Sequence, residues 1–64
     1  MLIGKLRPGD TFSCGIHPLI RLDGYNDRND PLVTVLEGDY AGWVGFMTRG
    51  TSVENVTRKH EEDA

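Results

Sequence analysis

Nowhere in the chain do apolar residues recur at i, i+3, i+4 and i+7 long enough to build the buried stripe of a packed helix; they come in short bursts separated by turn-forming residues. That punctuation restricts the fold to strands. Arg7-Pro8-Gly9-Asp10 sets proline second and glycine third in a four-residue turn, the type II arrangement, because only glycine takes a positive φ there without strain. A strand over Thr11–Cys14 is expected to follow. Pro18–Leu22 reads as the next strand, with Ile20 and Leu22 on one face and Leu19 and Arg21 on the other, so that Arg21 points away from the core. Asp23 to Pro31 is dense in Gly, Asn and Asp and is expected to be the longest loop. Leu32–Glu37, β-branched at its centre, pairs with Trp43–Met47 as the expected central hairpin, and Thr51–Val56 follows as an edge strand.

Strands this short in 64 residues put the chain near the lower size limit for a domain without a staple. The single cysteine, Cys14, closes no intramolecular disulfide, and a lone thiol fits a reducing compartment. Met1 to Lys5 is apolar for three residues only, which suits neither a signal peptide nor a membrane span, so a cytoplasmic location without membrane attachment is expected. Seven basic residues against ten acidic ones disfavour a nucleic-acid partner, whose capture rests on releasing counterions from phosphates. After Val56 no apolar anchor remains; residues 58–64 carry two basic and three acidic groups and read as a charged flexible tail following a domain at 1–57.

Five short strands can bury a common face only by curling into a small, partly open barrel. The run "KLRPGDTF", "LIRLDG", "LVTVLEG", "GWVGFM" and "TSVENV" resembles the small SH3-like β-barrels of phage and prophage proteins, over residues 2 to 56. The resemblance implies fold and origin alone. Such barrels inhibit host enzymes, assemble particles or sequester ligands, and no functional residue carries over from them.

Within Trp43–Met47, alternation sets Val44 and Phe46 on one face and Trp43, Gly45 and Met47 on the other. Val44 and Phe46 are the more compact choice for the core, since indole and thioether beside a bare glycine would leave a void. Trp43 and Met47 then stand outside, with a hollow at Gly45 beside the ring. The alternative is that Trp43 caps one end of the barrel under Tyr40 or the long loop.

Other chemistry is sparse. His17 has no second His or Cys near it in sequence and is expected to be a surface or supporting residue, with no structural metal. An EF-hand register started at Asp27 puts Leu32 where glycine is needed and Gly38 where glutamate is needed. Cys14, His17 and Asp10 have no nucleophile elbow or oxyanion terminus around them, and the glycines match no phosphate loop, so neither catalysis nor a cofactor is expected.

What remains is binding. The leading expectation is a phage- or prophage-encoded protein that docks on a host protein through Trp43, Tyr40, Arg21 and Arg49, residue types that dominate interface energetics. A second is an oligomeric sponge for a nucleotide-like ligand, stacking a base on Trp43 or Tyr25 and pairing phosphate with Arg21, Arg28 or Arg49. An oligonucleotide-binding barrel ranks third. In each case the shortage of core predicts a homo-oligomer, most simply a two-fold dimer, using the outward Trp43 and Met47 or an edge strand near Val53.

Overall fold

A computed structural model describes residues 1–59. The chain is all-β: a 3-10 turn at Ile3–Lys5 precedes β1 (Thr11–Cys14), β2 (His17–Tyr25), β3 (Pro31–Glu37), β4 (Val44–Phe46) and β5 (Glu54–Thr57). All pairings are antiparallel and the spatial order is β4-β3-β2-β1-β5, so β1 to β4 form a meander and the last strand returns beside the first. The sheet is open, with β4 and β5 as its edges.

The turn before β1 forms as its sequence demands. Gly9 takes φ +97°, and Asp10 N–H donates to the Arg7 carbonyl at 3.0 Å. The Asp10 side chain is buried and accepts from Arg7 N–H through Oδ2 at 2.9 Å and from Lys59 N–H through Oδ1 at 3.0 Å. A carboxylate this buried is tolerable because both oxygens are bonded.

Three sequence expectations are corrected here. The central hairpin is β2–β3, and β4 lies at the edge. The run after Leu22 stays in β2 through Tyr25, leaving a five-residue turn at 26–30, closed by Asn26 Oδ1 accepting from the N–H groups of Arg28 and Asp30. Asp23 holds the extension in place: its carboxylate accepts from Thr34 Oγ1 across the ladder and from Arg21 Nε at 2.7 Å. Arg58 and Lys59, read as tail, are held against the body, Arg58 Nη2 lying 3.2 Å from Met1 Sδ and Lys59 N–H bonding Asp10. Residues 60–64 of the expected tail lie outside the described residues.

The core consists of Ile3, Leu6, Phe12, Ile20, Leu22, Val33, Val35 and Val53, with Cys14, Tyr25, Met47 and Val56 packed against it. Ile20 and Leu22 face inward and Arg21 outward, as alternation requires. Ile3 and Leu6 come from the segment before the sheet. That segment is tied antiparallel to the β4–β5 connection by Ile3 N–H to Thr51 O (2.9 Å), Gly4 N–H to Arg49 O (3.0 Å) and Val53 N–H to Met1 O (2.8 Å). Tyr25 pins it from the other side, its hydroxyl lying 2.6 Å from the Leu6 carbonyl and 3.1 Å from that of Ile3.

Candidate functional site

The expected face assignment of β4 is inverted. Register pairs Gly45 with buried Val33, while Val44 opposes Thr34 and Phe46 opposes Leu32, so Gly45 faces the core and Val44 and Phe46 face out. Met47 packs against the core, which removes it from the expected outer surface. The void predicted at Gly45 does not exist, because the indole of Trp43 folds over that glycine: a Cβ built there would collide with its Cη2. The tryptophan is therefore neither a fully outward platform nor a buried cap. It lies along the rim on the inner side of the edge strand, 49 % exposed.

Four of the large exposed apolar side chains fall in one seven-residue stretch: Tyr40 (53 %), Trp43, Val44 (57 %) and Phe46 (55 %). They divide between two surfaces. Tyr40 and Trp43 join Ile16 and His17 around a hollow of about 310 Å³. His17 meets Tyr40 edge to face, centroids 5.4 Å apart at 73°, an arrangement that ring quadrupoles favour. Ile16 and His17 come from the tight β1–β2 turn, where Gly15 takes φ +57° and Ile16 is left exposed. Sequence reasoning named Tyr40 and Trp43, passed over Ile16 and gave His17 a supporting role. The signal was an isoleucine in a two-residue hairpin turn, where apolar side chains have nothing of their own to bury against.

The remaining candidates are dispersed. Tyr25 and Arg49 line a second hollow of about 260 Å³ with Gly4 and Asn29. Burial raises the Tyr25 hydroxyl above its ordinary value, and the nearby Asp10 charge adds to this, so the ring stays a neutral donor to backbone carbonyls. Arg21 is on the outer face, occupied by Asp23. Burial alone would raise the Asp23 carboxyl, but hydrogen bonds from Thr34 and Arg21, with the arginine charge, bring it below its ordinary value. Arg28 stands exposed in the 26–30 turn. Asp10 spends its carboxylate on backbone N–H groups, and Cys14 Sγ lies 3.7 Å from the Ser52 carbonyl. Among the described residues no group of three His, Cys, Asp or Glu side chains could hold a metal, and no helix is long and apolar enough to cross a membrane. Comparison with protein-family models, with curated proteins and with solved structures found no match.

Proposed function

We propose that this chain is a non-enzymatic binding protein that docks on another protein and alters its activity, a host protein in the setting that the phage-type resemblance implies. The observation that carries the reading is the aromatic hollow formed by Tyr40, Trp43, His17 and Ile16, in which large side chains remain exposed in a molecule short of core. A chain this small has every reason to bury its only tryptophan, and half of its surface is left to solvent. Aromatic walls around a shallow hollow suit an inserted side chain of a partner, the arrangement in which interface energy concentrates. The test is capture of a partner by the wild-type chain and by Trp43→Ala and Tyr40→Ala, with Arg28→Ala as control. Each hollow variant is expected to keep its fold and lose about 2 kcal/mol or more of binding, roughly thirtyfold. Undiminished capture by Trp43→Ala would defeat the reading.

The ligand-sponge reading keeps one specific support, that Arg49 and Tyr25 line the same second hollow. It is weakened by Arg21, whose charge is already answered by Asp23. A thermal-shift panel of nucleotides separates the two, since a ligand bound only by the folded state must raise the melting temperature. The scatter of Arg21, Arg28 and Arg49 over an outer face, a turn tip and a hollow gives no basic stripe for an oligonucleotide.

A further inference from the structure

We propose that the open edge of β4 pairs with β4 of a second copy of this chain, antiparallel about a two-fold axis at Gly45, joining two sheets into one. This goes beyond the docking reading and does not rest on the aromatic hollow.

Met47 N–H donates to Pro31 O and Val35 N–H to Trp43 O, both at 2.9 Å, which fixes the phase of the β3–β4 ladder. Trp43 through its carbonyl, Met47 through its N–H and Gly45 opposite Val33 between them turn toward β3, so Val44 and Phe46 turn their peptide groups toward the open side. Among the described residues neither makes a backbone hydrogen bond to any other segment there. The same two residues present their side chains on the outer face, each more than half exposed. Free peptide groups and bare apolar side chains thus coincide at one edge, the combination that soluble proteins ordinarily guard against.

The other edge is guarded. In β5, Asn55 adopts φ +53°, Glu54 carries a charge, and the β1–β5 register shifts between Thr11 and Ser13. That irregularity spoils a template for a further strand. At β4 the only such device is the strand's shortness, three residues: Tyr40 to Thr48 contains no charged residue and no proline. The edge strand expected over Thr51–Val56 is β5, with Val53 itself in the core just before it.

A second copy fits this edge in its own right. An antiparallel partner centred on Gly45 sets Val44 opposite Phe46 of the partner subunit twice over, so every free peptide group of the two residues finds a mate. The four side chains then form one apolar cluster on a common face. The order of charge along the chain agrees with the same orientation: Asp39 precedes the uncharged stretch and Arg49 follows it, so antiparallel copies set the acidic end of one stretch beside the basic end of the other.

The experiment is sedimentation equilibrium of the full chain from micromolar to millimolar concentration, for the wild type, Val44→Lys, Val44→Pro and Glu54→Lys. Proline at 44 breaks no β3–β4 hydrogen bond, since the donor it removes points to the open side, and it asks of Trp43 only the extended backbone that precedes a strand; lysine there adds a charge on an exposed position, so both are expected to melt close to the wild type when dilute. Wild type and Glu54→Lys are expected to dimerise. Both Val44 variants are expected to weaken the dimer at least about tenfold. A wild type that keeps the monomer mass at millimolar concentration overturns the proposal. So does a dimer that Val44→Lys leaves intact, or one that Glu54→Lys alone abolishes, which would place the contact at another surface.

Discussion

Gly45 opposes Val33 on the inner face of the sheet, and the space a methyl group would need there is filled by the indole of Trp43. Sequence alternation correctly divides this stretch into two sets but carries no sign that says which set is inside. Side-chain volume does not decide between the sets, because the glycine's missing side chain is made good by its neighbour two residues back. Gly45→Ala is therefore expected to push the ring outward, seen as a red shift in tryptophan emission. The stability cost should stay near 1 kcal/mol, since a half-exposed side chain can swing clear. An unshifted spectrum with a large loss of stability would mean the ring is locked. The same inversion sets the two phenylalanines apart. Phe12 is buried, and Phe12→Ala is expected to cost about 3–5 kcal/mol, comparable with the entire stability of a small domain. Phe46→Ala, on the outer face, should stay within about 0.5 kcal/mol in urea melts of dilute protein.

At the scale of elements, what the sequence declares through backbone chemistry is where the structure has it. The Pro-Gly turn, β1 over Thr11–Cys14 and the alternation in β2 all follow from dihedral preference and period two. What it conceals depends on partners far along the chain. Asp23, Gly24 and Tyr25 look like loop residues, yet Asp23 is held in β2 by Thr34, and Tyr25 by carbonyls before the sheet begins. The lowered Asp23 carboxyl gives this pairing a pH signature. A group whose folded-state value is depressed contributes stability that is present above its ordinary value of 3.8 and lost as pH falls through the lowered one. Asp23→Asn is expected to flatten that part of the acid limb in stability measurements against pH, and an unchanged limb would assign it to other carboxylates. Tyr25→Phe tests the other tie. Losing the hydroxyl takes from the Leu6 carbonyl its donor at 2.6 Å, at about 1–3 kcal/mol, while the Ile3 carbonyl keeps the Leu6 N–H. The exchange of the Ile3 and Gly4 amides should rise more than that of the β2–β3 ladder, locating the loss in the N-terminal segment.

Over the whole molecule, the candidate surface was half legible for the same reason as the fold. Tyr40 and Trp43 announce themselves by type, whereas the hollow exists only because the β1–β2 turn brings Ile16 and His17 beside them. The two chain ends show how far such remote ties reach. Met1 bonds Val53, Arg58 approaches Met1, and the backbone of Lys59 completes the buried Asp10 carboxylate, so the turn that opens the sheet is finished by residues beyond its last strand. Composition assigns these residues to a tail because the tie is a peptide N–H, which every sequence but proline supplies and none advertises. The distinction is measurable. Lys59→Ala keeps that N–H and is expected to melt close to the wild type. Removing residues 58–64 leaves one oxygen of a buried carboxylate without its donor, at about 1–3 kcal/mol, which for a domain of this size is a fall of roughly 4–8 °C for each kcal/mol. If the truncated chain melts with the full one, water satisfies Asp10 and the body ends at Thr57. If Lys59→Ala alone reproduces the loss, the side chain lying over Gly9 carries the tie instead of the backbone.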